Sequence, residues 1–129
     1  MDTHTREIGR EEWVAFFDSF SRQHDRWLIT LEVLGPEIGA QVESREQALN
    51  GITAELSDTG EDVISILVGS RSNDHVAHMV RAPSHVRLKE TAEGAHEALQ
   101  IESMSGVTTL LRFRSAVLPE AVDGIVLDR

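Results

Sequence analysis

Residues 10–24 read REEWVAFFDSFSRQH, and this stretch decides the fold class. Trp13, Phe16, Phe17 and Phe20 follow the i, i+3, i+4, i+7 spacing that places side chains on one face of an α-helix. The whole chain has two Trp, four Phe and no Tyr, so this face carries most of its aromatic side chains. We therefore expect an N-terminal amphipathic helix, over about residues 10–24, whose aromatic face packs on a sheet formed by the rest of the chain.

The remainder of the chain is typical of short β-strands. Residues 27–34 alternate with period two, with Trp27, Ile29, Leu31 and Val33 on one face, which predicts a half-buried strand. Asn50-Gly51 is interpreted as the turn that opens a later strand, since both residues tolerate positive φ. Further strands are predicted over residues 38–44, 52–56, 63–68, 75–81, 86–89, 98–103 and 107–114, the last two joined as a hairpin around residues 104–106.

The pattern predicts an α+β fold. Residues 63–68 are apolar on both faces except for Ser65, so this strand is expected at the centre of the sheet, with the helix as its second cover. The connections are too short for parallel crossovers, which favours antiparallel neighbours. We expect a six- to eight-stranded antiparallel sheet, over about residues 26–114, rolled toward a half-open barrel that the helix plugs.

Length and composition exclude several classes of function. The 129 residues fit a single domain, 1–129, and the net charge of −10 disfavours nucleic acid as a partner. Cysteine is absent, which excludes disulfides and thiolate metal sites. No signal peptide is recognisable, and no apolar stretch approaches the ~20 residues of a membrane span, so a cytoplasmic protein is expected.

Several short segments stand in a characteristic order along the chain. They are Glu12-Trp13, Phe16-Phe17, Trp27 to Glu32, Ile38 to Val42, Gly51-Ile52 and Leu110 to Ser115. As an ordered set, over roughly residues 5–125, they resemble an uncharacterised bacterial family of small standalone domains of unknown function. The resemblance implies core aromatic residues and an Arg-containing strand, and it implies no activity, cofactor or catalytic residue.

The histidines are candidate metal ligands, because six are present and four of them fall between residues 75 and 96. His75 and His78 are three residues apart and would point to opposite faces of a strand. A site would need convergence of distant residues, for example His78, His85 and Glu90, with zinc as the expected ion. Surface or turn histidines are the simpler interpretation, and no cofactor or metal site is predicted.

Enzyme motifs are also missing from the sequence. It contains no nucleophile elbow, phosphate loop or cofactor fingerprint, and the paired carboxylates Glu11-Glu12 and Glu61-Asp62 fall at a helix start and in a polar turn. A non-enzymatic role is therefore predicted, with no catalytic residue.

Two features favour protein binding. Arg112 and Arg114 share one face of the last strand, and Arg87 and Lys89 share one face of theirs, so neighbouring strands would form a basic patch on an acidic protein. Ordinary cross-strand ion pairs, for instance with Glu102, are the alternative.

The second feature is the apolar tail, residues 115–129. It contains Leu118, Val122 and Ile125, more apolar surface than a free tail usually carries. The tail is expected either to fold back on the open end of the barrel or to dock on another protein.

Together these features predict a non-enzymatic protein-binding domain. We expect an accessory or stabilising subunit on the cytoplasmic face of a larger, membrane-associated complex, with a homodimer through an edge strand such as residues 76–81 as another assembly. The alternative function is a barrel that binds a small ligand or a metal, or an enzyme, with its site in the barrel mouth near His78 and His85.

Overall fold

The computed structural model describes residues 3–37, 39–69 and 76–117. Within these residues one helical segment and eight strands follow each other along the chain. Strand β1 spans Thr3–Ile8, a 3₁₀ turn spans Arg10–Glu12, and helix α1 spans Trp13–Gln23. The other strands are β2 Leu28–Gly35, β3 Gly39–Glu55, β4 Val63–Val68, β5 Val76–Arg81, β6 Pro83–Thr91, β7 His96–Ser103 and β8 Thr108–Val117.

All neighbouring strands are antiparallel, which confirms the predicted α+β fold with an antiparallel sheet. The strand order is β1-β6-β7-β8-β2-β3-β4-β5. Among the described residues β1 and β5 do not pair with each other, so the sheet is not closed. The hairpin predicted around residues 104–106 joins β7 to β8, and Gly106 provides the positive φ of 92° that this turn requires.

Helix α1 begins next to the end of β1, a strand that the sequence analysis does not anticipate. The Trp13 indole Nε1 donates a hydrogen bond of 2.9 Å to the Ile8 carbonyl, which ties the first helical turn to that strand. Near the other end, the Ser21 hydroxyl donates to the Ile52 carbonyl and accepts from the Ile52 N–H. The helix is thus attached by side-chain hydrogen bonds to β1 and to β3.

The aromatic stripe of α1 belongs to the hydrophobic core. Trp13, Phe17 and Phe20 are buried and Phe16 is half-buried, as expected from their spacing. They pack in one cluster with apolar side chains from all eight strands, among them Ile8, Ile29, Leu31, Ile52, Ile64, Val80, Leu88, Leu99 and Phe113. One continuous core therefore connects the helix with every part of the sheet.

Two sequence predictions about β3 and β4 are wrong. Residues 39–55 form one continuous strand, and Asn50-Gly51 is a register shift within it rather than a turn. Strand β4 is buried on one face only, because Leu67 is 36% exposed, and α1 lies against β3 instead of covering the outer side of β4. Hydrophobicity on both faces of a short strand does not distinguish a central strand from one whose outer face is partly exposed.

Strands β5 and β6 are almost continuous in sequence but have different neighbours. Ala82 alone separates them and has a φ of 51°, in the left-handed region. Strand β5 pairs with β4, whereas β6 pairs with β1 and β7. The chain therefore turns a sharp corner at Ala82.

Candidate functional site

A groove lies between β5 and the β7–β8 hairpin. Its volume is about 560 Å³, and its walls are residues 78–82 on one side and residues of the 103–109 hairpin on the other. Met79 and Met104 line it and are 47% and 77% exposed. Methionine side chains are flexible and polarisable, and they adapt to differently shaped apolar partners. The groove is thus an accessible, largely apolar surface with adaptable walls.

Hydrogen bonds hold the hairpin against the corner at Ala82. The Met104 N–H donates to the Ala82 carbonyl at 2.9 Å, and the Ser103 hydroxyl donates to the Arg81 carbonyl at 2.9 Å. The Ala82 N–H donates to the Asp62 carbonyl. Because the backbone at this end is fixed on both sides, the groove is formed before any ligand arrives.

His78 is the histidine that lines the groove. Its Nε2 lies 3.3 Å from the Thr109 hydroxyl of β8. Burial lowers the pKa of His78, and the negative charge of Glu43 opposes this effect. The imidazole is therefore a neutral hydrogen-bonding group near pH 7 and connects β5 with β8 across the groove.

The structure does not bring together the three residues named as a hypothetical metal site. His78 contacts Thr109, whereas His85 Nδ1 lies 2.9 Å from Glu7 Oε2. Glu90 Oε1 lies 3.1 Å from His4 Nε2. In the described part of the chain, no group of three or more His, Asp or Glu side chains is arranged to hold a metal ion.

Three of the predicted basic residues share the outer face of the sheet. Lys89 on β6 and Arg112 on β8 lie in register on either side of Ala98, so roughly 10 Å separates their strands. Arg87 Nε lies 3.2 Å from Glu7 and its Nη1 lies 3.1 Å from Glu102. The strand order thus places these cations on one face of the sheet, and the carboxylates of Glu7 and Glu102 neutralise Arg87.

Arg112 also has an acidic neighbour. Its Nε lies 3.5 Å from Glu32 Oε1 on β2, and its side chain remains 57% exposed. This is the cross-strand pairing that the sequence analysis names as the alternative, here with Glu32, while the pairing with Glu102 is made by Arg87. A protein-binding role for Arg87, Lys89 and Arg112 remains a prediction.

The other predicted binding residues lie mostly outside the described part of the chain. Strand β8 extends to Val117, so the first residues of the predicted tail belong to the sheet, and Arg114 lies in this strand. Leu118, Val122 and Ile125 lie outside the described residues, as does His75. Their predicted roles stay predictions.

A buried pair of histidines is a feature that sequence reasoning missed. His24 Nε2 lies 3.3 Å from His96 Nδ1, and both residues are buried beside Phe20, with His24 also beside Phe113. Burial lowers the pKa of His24 to about 4 and also lowers the pKa of His96. The two residues are 72 positions apart, so no local spacing could have indicated the pair.

The pair is connected to the surface through one carboxylate. His96 Nε2 lies 3.8 Å from Glu90 Oε2, and Glu90 in turn contacts His4 and Arg6 on β1. Since the His24 and His96 rings are enclosed by aromatic side chains and strands, they have no open space for a substrate. We interpret the cluster as a structural element of the core.

No helix in the described residues is long and apolar enough to cross a membrane.

Comparison with known proteins finds an uncharacterised relative, a solved structure of limited similarity and a matching family model. An uncharacterised protein from Aquifex aeolicus is 28% identical over 117 residues, which cover 90% of this chain and 98% of that protein. The crystal structure of the Bacillus subtilis YojF protein superimposes with a TM-score of 0.48 and 10% identity, covering 86% of this chain and 95% of that one. A family model described as a family of unknown function, DUF5335, matches residues 4–122. Because that match spans nearly the whole chain, the protein belongs to the DUF5335 family.

Proposed function

We propose that the protein is a non-enzymatic protein-binding domain and that the groove between β5 and the β7–β8 hairpin receives its partner. The observation that carries the proposal is the exposure of Met79 and Met104 along a preformed apolar groove. Exposed apolar surface of this kind costs solubility unless a partner covers it, and methionine-lined surfaces suit protein segments.

The proposal includes a finer description of the fold. The corner at Ala82 and the hydrogen bond between His78 and Thr109 support a sheet rolled toward a half-open barrel, with α1 packed inside it. In this arrangement the groove is the place where the barrel stays open. We propose an accessory or stabilising subunit, seated on the cytoplasmic face of a larger assembly.

A second depression, between α1 and β3, is a weaker candidate. Its volume is about 490 Å³ and Val14, 53% exposed, lies at its edge. The Ser21 hydroxyl within it already forms hydrogen bonds with the Ile52 backbone. The first groove is preferred as the binding site because it exposes the flexible side chains of Met79 and Met104, whereas the second depression exposes the rigid side chain of Val14.

The test starts from a photo-crosslinking amino acid placed at position 104 of the full chain in its native cells. The crosslinked protein is identified, purified and titrated with the unmodified chain. Met104→Glu should weaken binding by about tenfold or more, since an apolar anchor is replaced by a charge. Stability should change by less than about 0.5 kcal/mol, because an exposed turn residue contributes little to folding.

Lys89→Glu and Arg112→Glu are the matched controls on the outer face of the sheet. If the groove is the binding surface, both variants keep the affinity of the wild-type chain. Loss of binding in these variants with normal binding of Met104→Glu would assign the interface to the outer face. Absence of any stoichiometric partner would contradict the protein-binding function.

The alternative function is binding of a small ligand in the same groove, and the position of His78 favours it. A neutral imidazole beside the Thr109 hydroxyl could orient a polar group of a ligand within apolar walls. A thermal-shift screen with metabolites and divalent ions distinguishes this function, because a ligand that binds only the folded state raises the unfolding temperature.

A further inference from the structure

We propose that the partner of the groove is an extended, basic segment of protein chain that adds as a new strand to the groove-facing edge of β5. The inference rests on the proposed function and specifies the partner's conformation and charge. It is carried by the backbone of β5 and by the charges around the groove, and neither observation depends on the exposed methionines.

Strand β5 is an edge strand within the described residues. It pairs with β4 along its whole length, from Val76 to Arg81. On its other side, the hydrogen bonds that the hairpin makes to its backbone are confined to its end, where Ser103 and Met104 donate to the carbonyls of Arg81 and Ala82. The His78 side chain also contacts Thr109. Met79 borders the groove, and Ala77 continues the same edge two residues further along.

The direction of the backbone groups follows from these hydrogen bonds. In an antiparallel pair, successive residues point their N–H and C=O alternately toward and away from the partner strand. The Arg81 carbonyl points to the hairpin, and the Ala82 N–H points to Asp62 on the β4 side. By alternation, the backbone N–H and C=O groups of His78 and Val80 point toward β4.

The N–H and C=O of Ala77 and Met79 consequently point away from β4, on the edge that borders the groove. No hydrogen bond within the described residues uses these groups. Unpaired N–H and C=O groups on an edge strand are a template for another strand. An added strand would lie roughly 5 Å from β5 and place alternate side chains between Met79 and Met104.

The charges around the groove and the net charge of the chain favour a basic segment as the partner. Glu61 and Arg81 both line the groove and offset each other, since Arg81 Nη1 lies 3.9 Å from Glu61 Oε1. The negative charge of Glu43, which acts on His78, is left in excess. The chain as a whole has a net charge of −10. Two copies would repel each other for the same reason, so a basic partner is favoured over a second copy of this chain.

The experiment measures binding of two short fluorescent peptides to the full chain by fluorescence anisotropy. One alternates valine and lysine, and the other alternates valine and glutamate. We expect the lysine peptide to bind and the glutamate peptide not to bind. Raising the salt to about 0.5 M should weaken the interaction, since it screens the attraction between peptide and groove.

Ala77→Pro tests the strand addition itself. Proline removes the N–H that faces the groove and leaves the hydrogen bonds to β4 in place, because proline is tolerated where an edge strand points its N–H outward. Loss of this bond leaves a peptide carbonyl unpaired, so the affinity should fall about tenfold or more. The control is Ala92→Pro, in the second position of the Thr91–Gly94 turn, where proline is favoured.

A second measurement needs no variant. Hydrogen exchange of the Ala77 and Met79 amides should slow at least tenfold when the lysine peptide is bound, while His78 and Val80, already bonded to β4, should change little. This readout holds even if Ala77→Pro does not fold.

The outcomes separate the two proposals. Peptide binding that survives Ala77→Pro and is lost in Met104→Glu keeps the groove as a binding surface and overturns strand addition. Binding that is unaffected by both variants overturns the inference and the proposed groove together. Crosslinks from position 104 to the chain's own residues 118–129, or a homodimer by light scattering, would also overturn a basic partner strand. So would the absence of binding by the lysine peptide at concentrations up to about 1 mM.

Discussion

The buried histidine pair can be assigned its protons from geometry. His24 Nδ1 lies 2.8 Å from the Phe20 carbonyl, which can only accept a hydrogen bond, so this nitrogen carries the proton. His24 Nε2 must then accept, and His96 Nδ1 donates to it. His96 Nε2 is left as an acceptor that faces Glu90 at 3.8 Å. The arrangement is consistent with two neutral rings and explains why the pair can be buried.

Acid should destabilise the protein through this pair. The unfolded chain protonates His24 near pH 6.5, whereas the folded chain does so only near its lowered pKa of about 4. The stabilisation is therefore complete above pH 6.5 and is lost as the pH falls toward 4, by about 3 kcal/mol. Urea unfolding between pH 7.5 and 4 measures the effect.

His24→Gln should flatten this pH dependence and lower the stability at pH 7. The control is His85→Gln, because His85 is exposed and paired with Glu7, so the change removes no buried ring. An equally steep pH dependence in wild type and His24→Gln would contradict the assignment.

At the scale of elements, the corner between β5 and β6 depends on a strained residue. Ala82 has a φ of 51°, which costs an L-residue roughly 1–2 kcal/mol. Its N–H and C=O both form hydrogen bonds that fix the corner, to Asp62 and from Met104. The position is maintained by these neighbours rather than by its own conformational preference.

Ala82→Gly and Ala82→Val test this strain. Glycine relieves the positive φ but loses more entropy on folding, so we expect an unfolding free energy equal to wild type or up to about 1 kcal/mol higher. Valine is β-branched and should lower it by more than about 2 kcal/mol. Denaturant unfolding of the three proteins gives the order of their unfolding free energies. A valine variant as stable as the glycine variant would show that Ala82 is not strained.

Helix α1 shows how far element prediction from sequence extends. Its aromatic face follows from the spacing of Trp13, Phe17 and Phe20, because helical periodicity is a local property. The predicted helix begins at about residue 10, whereas residues 10–12 form a 3₁₀ turn and α1 begins at Trp13. The length of β3 could not be predicted from the sequence, since the residue pair Asn50-Gly51 is compatible both with a register shift within a strand and with a turn. Only the pairing of Leu49 with Val68 and of Gly51 with Leu67 distinguishes them.

At the scale of the molecule, the sheet should show a gradient of protection. Within the described residues six strands have neighbours on both sides, whereas β1 and β5 end the strand order. Amide hydrogen exchange should be slowest in β7, β8 and β2, near the middle of the strand order, and fastest in β1 and in the groove-facing amides of β5. Exchange at Ala77 as slow as at Leu99 would show that another segment already pairs with this edge.

Distribution of charge is also a property of the whole molecule. Residues 1–70 contain 14 acidic and 5 basic residues, and residues 71–129 contain 8 acidic and 7 basic residues. Strand order interleaves the two halves, because β8 lies beside β2 and β6 lies beside β1. Glu7 and Glu32 from the first half therefore neutralise Arg87 and Arg112 from the second, so the predicted basic patch contains paired cations.

Sequence patterns alone predict the helix with its aromatic face, the antiparallel class of the sheet, the β7–β8 hairpin and membership in a family. These properties depend on residues close together in the chain, or on an ordered pattern along it. The tertiary structure alone decided the groove, the His24–His96 pair and the partners of Arg87 and Arg112. Each joins residues from distant strands, and their contacts depend on strand order and register, which short-range periodicity does not encode.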